Sequence, residues 1–410
     1  MNAEQFTKLQ ALLQRVQQKS PFYQHKFKAA GFDISDIQTP ADIAQIPFTT
    51  KEELREAYPL NIQAVPDEEI VRIHSSSGTT GKPIIIPYTA HDVAVWAEIM
   101  HRCMSVAGLT AKDRVQITPG YGLWTAGIGF QAGVERLGAM AIPMGPGNTE
   151  KQLQMMMDLQ STALCATSSY ALLLAEEIHK RGLKDHIKLK KAILGSERWG
   201  DKMRVRIREE LGVELYDIYG LTEIYGPGIS ISCSACNGLH YWDDYLLFEV
   251  IDPQTGMPVA DGEFGELVIT TLTKEGAPLL RYRTRDITRL LTGECSCGLP
   301  HPRHDLIMGR TDDMVKVKGV NIYPGQVEDV LKHIEGISSE YQIVIDREEG
   351  KDAMLLRFEQ QEGFDANSLE LRVKKYFKTK VGLTINAQAL SIGQLPRSEK
   401  KTPRVIDNRY

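Results

Sequence analysis

The stretch HSSSGTTGKPIIIPYT, His74 to Thr89, gathers serine, threonine and glycine and then turns abruptly into an apolar run. The phosphate loop of nucleotide triphosphatases needs Gly, four residues, Gly-Lys and then Ser or Thr, and it must open a helix whose amides face the phosphates. Here Ser76 stands where the first glycine belongs, Pro83 follows Lys82, and IIIPY is strand-like. The spacing therefore predicts a loop between two strands, able to wrap phosphate oxygens with backbone amides and hydroxyls. A polar hairpin loop is the plain structural alternative.

Working outward, the runs VRIH, PIIIPY, RVQITPG, AMAIPM, ALCATS, KAILGS and ELYDIYG alternate with helical stretches such as AHDVAVWAEIMHRCMSVAG. That alternation predicts an α/β domain on parallel or mixed sheets. Residues 1 to about 60 read as helical, with breaks at Ser20-Pro21 and Thr39-Pro40, and a β-rich zone runs from about Tyr241 to Leu291. After MGRTDDM a compact strand and helix alternation closes the chain. The expected organisation is a large N-terminal domain, 1–310, of mixed sheets flanked by helices plus the β-rich subregion, and a small α+β C-terminal domain, 311–410.

At 410 residues the chain exceeds the size of one hydrophobic core, which agrees with more than one domain. A net charge of −5 leaves no positive surplus to neutralise a nucleic-acid backbone. No apolar run reaches the roughly 18 to 20 residues that cross a bilayer, and MNAEQFTKLQALLQRVQQ reads as an amphipathic helix rather than a signal peptide. The expectation is a cytoplasmic protein that binds neither nucleic acid nor membrane. In a reducing compartment, grouped cysteines point to metal rather than disulfides. Cys103 and Cys165 stand alone and read as core residues.

Cys233, Cys236 and His240 fall in CSACNGLH, and Cys295 with Cys297 in GECSCGLPH. Three thiolates and one imidazole make a common structural zinc site, here Cys233, His240, Cys295 and Cys297, with Cys236 as an alternative to His240. Such a site would tie two loops together and leave no open position for catalysis.

SSSGTTGKP, YGLTE, YRTRD, GRTDDMVKVKGVNIYP and LPRSEKKTPRVIDNR match, in order, the core motifs of adenylate-forming enzymes. More narrowly, YGLWTAGIGFQAGVERLG and GLHYWDDYLLFEVIDPQTG resemble the phenylacetate–CoA ligase family, and the likeness runs from about residue 5 to the C-terminus. The resemblance implies ATP-dependent activation of a carboxylate to an acyl-adenylate with release of pyrophosphate, then attack by the coenzyme A thiol. It also implies Mg2+ and a homodimer.

The residues can be weighed against that chemistry. Ser75, Ser76, Ser77, Gly78, Thr79, Thr80 and Gly81 offer donors for the β- and γ-phosphates, and Lys82 is either a charge partner or a solvated loop lysine. By resemblance, Tyr219 packs on adenine, Thr222 meets the α-phosphate and Glu223 holds magnesium, with Asp217 and Gly220 beside them. A hard cation bridged by one carboxylate and phosphate oxygens is the usual Mg2+ arrangement. Asp286 suits the ribose hydroxyls, Arg310 the ribose or phosphate side. Asp312 matches the hinge position of the family. Lys401 matches the lysine that stabilises charge between carboxylate and α-phosphate, although Lys400 stands where the pattern usually has glycine. Gly319 either lines a pantetheine channel or simply makes a turn.

For an aryl acid the pocket should be flat-walled and apolar. Tyr121, Trp124, Gly127 and the stretch Gly195 to Trp199 are the candidates, with Ser196 and Glu197 also expected on the nucleotide side. Relatives often read Gly-Ala-Glu-Pro there, so Ser196 and Arg198 leave the ring substituent open. Two rival readings remain. In one, the acyl group passes to a carrier-protein thiol or the acid is a different carboxylate such as a deazaflavin coenzyme. In the other, the chain is a catalytically inactive zinc-containing binding protein.

Overall fold

The computed structural model describes residues 1–76, 82–318, 320–348, 351–398 and 402–409. The chain is mixed α/β and divides into two compact units. The first comprises Met1–Gly145, Ser161–Cys165 and Tyr216–Ile307; the second Pro146–Gln160, Ala166–Leu215 and Met308–Tyr410. Among the described residues no helix is long and apolar enough to cross a membrane.

In the first unit, helix Ala3–Lys19 starts from a capping box in which Asn2 and Gln5 satisfy each other's backbone amides. Its apolar positions Leu9, Leu12, Leu13 and Val16 pack with Tyr23 and Phe27 against Leu247, Leu272 and Leu280 of the β-rich zone. Strand Ile70–Ser75 runs antiparallel to Ile85–Thr89, so the serine- and glycine-rich stretch does lie between two strands. Thr89 and Asp92 then form the capping box of helix Ala90–Val106.

Strand Arg114–Ile117 pairs in parallel with Met140–Pro143 and with Ala163–Cys165, the crossover being helix Thr125–Leu137. This helix carries the glycines of TAGIGFQAG for a steric reason. A Cβ at Gly133 would lie 2.6 Å from the Met100 Cβ, and one at Gly129 2.5 Å from the Trp96 ring. The glycine face thus lets helix Thr125–Leu137 lie directly on Ala90–Val106. Strand Glu214–Leu221 pairs antiparallel with Gly226–Ser232, which continues to Leu239–Tyr241. Three further antiparallel strands, Leu246–Ile251, Gly265–Thr271 and Tyr282–Thr288, build the β-rich zone anticipated from the sequence.

The second unit contains helices Ser168–Lys180 and Asp201–Leu211 and strand Lys191–Gly195. Its C-terminal part is a four-stranded sheet in the order Asn386–Ser391, Lys351–Gln360, Ile337–Glu348, Val405–Asp407. Helices Pro324–Lys332 and Ala366–Val381 bury Val327, Val373 and Phe377 with Ile343, Ile345, Leu356 and Phe358 of the sheet. Arg397 bridges Glu176 and Glu359, each at 2.8 Å, and Arg404 pairs with Glu340 at 3.0 Å. These buried pairs pin the chain on either side of the segment that holds Lys401.

Candidate active site and metal centre

In the first unit, YDIYGLTE forms the end of strand Glu214–Leu221 and the turn into Gly226–Ser232, with a register shift between Tyr219 and Gly220. Only glycine fits at 220, because a Cβ there would stand 1.9 Å from the Gly226 carbonyl oxygen. Tyr219 donates its hydroxyl to Asp286 Oδ2 at 2.5 Å, joining two residues that the sequence separates widely. Asp286 is 4% exposed, and its backbone N–H donates to Thr284 Oγ1 at 3.0 Å. Asp217 takes part through its backbone N–H, which donates to Ser232 Oγ at 2.8 Å.

Thr222 lies with its Oγ1 3.4 Å from Thr125 Oγ1, so the start of the glycine-rich helix meets the turn. Glu223 is 4% exposed, with the Lys51 ammonium 3.8 Å from its Oε1. A single, nearly buried carboxylate that already attracts a cation fits a hard divalent ion completed by phosphate oxygens and water. Lys274 sits behind this turn; burial pushes its pKa down to about 7, against the pull of Asp92 and Glu223.

At the base of the serine-rich loop, Ser76 is stitched to Ile84 by two hydrogen bonds of 3.0 Å, N–H to carbonyl and amide to Oγ. Ser75 donates its N–H to the Leu123 carbonyl at 2.9 Å and its hydroxyl to the Ser76 carbonyl at 3.0 Å. Lys82 lies 5.5 Å from the Tyr58 ring centroid, a cation–π contact. Ser77, Gly78, Thr79, Thr80 and Gly81, together with Gly319 and Lys401, lie outside the described residues.

Of the acyl-pocket candidates in this unit, the Tyr121 ring lies directly against Gly127, where a Cβ would come within 2.6 Å of it. Among the described residues its buried hydroxyl oxygen has no hydrogen-bond partner, and burial raises its pKa well above the ordinary phenol value. Trp124 caps the start of helix Thr125–Leu137 and is 45% exposed, so it is not a closed wall.

The second unit holds the other candidates. Gly195 ends a buried strand, and Ser196 adopts the left-handed region at φ +70°, a conformation that non-glycine residues rarely take. That turn brings Glu197 to the start of helix Ser168–Lys180. There its carboxylate accepts from the Ser169 N–H at 2.7 Å and the Ser169 hydroxyl at 2.8 Å, an anion on a helix N-terminus. Arg198 pairs with Glu328 at 3.1 Å. The Arg310 guanidinium forks onto Asp312, 2.8 Å and 3.0 Å, so the residue expected at the ribose or phosphate and the residue expected at the hinge hold each other.

Four of the thiol and imidazole groups come together in the first unit. The ligand atoms of Cys233, His240, Cys295 and Cys297 all lie within 4.8 Å of one another. Cys233 Sγ is 3.6 Å from Cys295 Sγ, and Cys297 Sγ is 3.3 Å from His240 Nε2. Four ligands about 2.0 to 2.3 Å from one zinc ion at tetrahedral angles would stand roughly 3.3 to 3.8 Å apart. His240 Nδ1 contacts the His301 carbonyl at 2.7 Å, which fixes the ring with Nε2 toward the thiols. Burial also lowers the pKa of His240, favouring the neutral imidazole that binds metal. Cys236, the alternative ligand, is exposed and outside this group. It turns at φ +50° and points its thiol to the Ser234 carbonyl.

Sequence reasoning missed Lys51, Thr125 and Lys274. A lysine in FTTKEE or in TLTKEG carries no local signal of burial or of a partner far away in the chain.

Residues 8–273 match the AMP-binding enzyme family, and residues 319–409 match the AMP-binding enzyme C-terminal domain. The chain is 40% identical over 418 residues to a phenylacetate-coenzyme A ligase of Escherichia coli, spanning 100% of this chain and 95% of that protein. It is 41% identical over 430 residues to a phenylacetate-coenzyme A ligase of Thermus thermophilus, spanning 100% and 97%. Among solved structures, it is similar to 2-hydroxyisobutyryl-CoA ligase in the postadenylation state in complex with R3-HIB-AMP. That match has a TM-score of 0.89 at 29% identity and covers 99% of this chain and 89% of the other.

Proposed function

The chain belongs to the AMP-binding enzyme family, and from that premise we propose that it is an ATP-dependent acid–thiol ligase acting on an aryl or arylacetic carboxylic acid. In the first half-reaction a carboxylate oxygen attacks the α-phosphorus of ATP, the α–β phosphoanhydride bond breaks, and acyl-adenylate and pyrophosphate form. In the second, the coenzyme A thiol adds to the acyl carbon and AMP leaves.

The observation that carries this reading is the turn where Tyr219, Thr222 and Glu223 follow one another and Tyr219 reaches Asp286, in a chain similar along its whole length to ligases of this kind. Asp286, oriented by Tyr219, accepts the ribose hydroxyls while the Tyr219 ring lies along adenine. Thr222 donates to the α-phosphate. Glu223 would hold Mg2+, which when bound would offset the charge of the phosphates. Ser75 to Gly81 and Lys82 embrace the outer phosphates, with Asp217 and Gly220 shaping the floor. Lys401 stabilises the charge shared by carboxylate and α-phosphate. Tyr121, Gly127 and Trp124 form the acid pocket; the roles that the family resemblance implies for Gly195 toward the acid and for Ser196, Glu197 and Arg310 toward the nucleotide belong to the same reading.

The reading further includes a domain boundary at 310/311 with Asp312 as its hinge, Gly319 beside the pantetheine arm, a homodimer and a cytoplasmic location. Cys233, His240, Cys295 and Cys297 would hold a zinc ion that ties the 233–240 and 295–297 loops together and takes no part in the reaction.

The test is pyrophosphate exchange into ATP across benzoate, phenylacetate and substituted aryl acids, followed by product analysis with and without coenzyme A. The reading expects acid-dependent exchange and a coenzyme A thioester. Exchange with no thioester would transfer the acyl group to another acceptor such as a carrier-protein thiol. Exchange with none of these acids would overturn the aryl-acid reading, and with non-aryl carboxylates failing as well only a binding protein would be left.

A further inference from the structure

Behind the Thr222–Glu223 turn the first unit buries a lysine that its sequence places in a loop. Lys274 is 1% exposed, and an ammonium taken out of water is costly unless its donors are met. Its Nζ donates to the backbone oxygen of Ile224 and lies 3.5 Å from that of Glu223. The same atom sits 4.4 Å from the ring centroid of Tyr88 and 4.7 Å from that of Tyr225, so two aromatic faces share its charge.

The backbone beside Lys274 is equally fixed. Asp92, 0% exposed, accepts the N–H groups of Glu275 and Gly276, each at 2.8 Å, which pins this loop to helix Ala90–Val106. A tethered amino group therefore grips the carbonyls of two consecutive residues, one of them Glu223. The backbone torsions that aim the Glu223 carboxylate cannot then vary independently of Lys274.

We propose that Lys274 is a positioning residue for adenylation: by holding the Glu223 and Ile224 carbonyls from behind, it fixes the turn that presents the Glu223 carboxylate to the divalent cation of ATP. This rests on the reading of Glu223 given under the proposed function. A carboxylate held by an ordered backbone binds metal more tightly than one that must be ordered on binding, and removing such outer partners costs roughly 10- to 100-fold in metal affinity.

The test compares wild type with Lys274→Met, which keeps the chain length and apolar packing but removes every donor. Mn2+ binding is titrated by electron paramagnetic resonance with both proteins saturated in α,β-methylene-ATP, and the Mg2+ dependence of pyrophosphate exchange is measured alongside. The Mn2+ dissociation constant should rise roughly 10- to 100-fold, and the Mg2+ giving half-maximal exchange should rise with it. Thioester formation from chemically prepared acyl-adenylate should change less than about twofold. Lys274→Gln, with one remaining donor group, should fall between.

Unchanged Mn2+ binding, or equal loss in both half-reactions, overturns the proposal. So does failure of both variants to fold, which would assign Lys274 to stability alone. The two readings separate cleanly. Wild type that never exchanges pyrophosphate, with Mn2+ binding still weakened by the substitution, sinks the ligase reading. Wild type that exchanges normally, with Mn2+ binding indifferent to the substitution, sinks only the role of Lys274.

Discussion

Tyr219 donates its hydroxyl to Asp286 at 2.5 Å, across a gap of 67 positions in the chain. The contact orients a nearly buried carboxylate beside the ring assigned to adenine. Asp286→Ala should raise the KM for ATP by roughly 10- to 100-fold, the range expected when hydrogen bonds to a charged acceptor are lost. Tyr219→Phe keeps the ring and loses only the orienting bond, so it should cost about 3- to 10-fold. Initial-rate pyrophosphate exchange at varied ATP measures both. Equal effects of the two changes would mean that Asp286 serves only to hold Tyr219.

The thiol and imidazole cluster predicts about one zinc per chain by elemental analysis of protein purified without added metal. Cys297→Ser or Cys295→Ser should lose it and lower the melting temperature by several degrees, because metal binding of this kind contributes directly to folding. Cys236→Ser should keep the zinc, since the Cys236 thiol is exposed and lies outside the group of four. Retention of zinc by the first two variants together with loss from the third would reverse the ligand assignment.

Gly127→Ala puts a methyl group 2.6 Å from a Tyr121 ring carbon and 2.8 Å from the Gly120 carbonyl oxygen, so the ring must move. The KM for the acid should rise by about tenfold or more while that for ATP stays nearly constant, the signature of lost binding at one substrate only. A matching rise for ATP would place Tyr121 in the nucleotide site or would mark a general loss of folding.

Much of this was legible in the sequence because phosphate and metal chemistry depends on local residue order. The hydroxyl-rich stretch between two strands, the YDIYGLTE turn and the Cys/His set all emerge from short motifs, and their flanking elements fall where the periodicities put them. The choice between Cys236 and His240 was not legible, because it depends on the left-handed turn at Cys236 and on the His301 carbonyl that aims the imidazole. Nor was the tie between Arg310 and Asp312, which spacing alone reads as two separate roles. Lys274 is the clearest case: its burial is produced by Tyr88, Tyr225 and Asp92, none of them near it in the chain.

Lys202 offers a test by pH. Burial pushes its pKa down to about 8, with Arg372 adding to the effect, while its ammonium reaches the Ile337 carbonyl at 2.6 Å and that of Ile334 at 2.9 Å. An unfolded lysine titrates at about 10.4, so between pH 8 and that value the unfolded chain binds the extra proton. The stability contribution of this group is therefore lowest below pH 8 and rises through that window. Lys202→Met lacks this term, so denaturant unfolding at pH 7.5 and 9.5 should show wild type gaining relative to the variant at the higher pH. A constant difference would mean that Lys202 titrates normally.

Lys401→Ala should nearly abolish adenylate formation and leave thioester formation from preformed adenylate largely intact. Single-turnover assays of each half-reaction decide it. Equal loss in both would move the charge-stabilising role to another residue, Lys400 being the first to examine.

In the proposed reaction, one site in the first unit seats the nucleotide whose α-phosphorus is attacked. Its most direct test is a crystal of the wild-type protein soaked with AMP and an aryl acid. Adenine should lie along the Tyr219 ring, with both ribose hydroxyls on Asp286 and the phosphate at Thr222. AMP bound away from Tyr219 and Asp286 would contradict it.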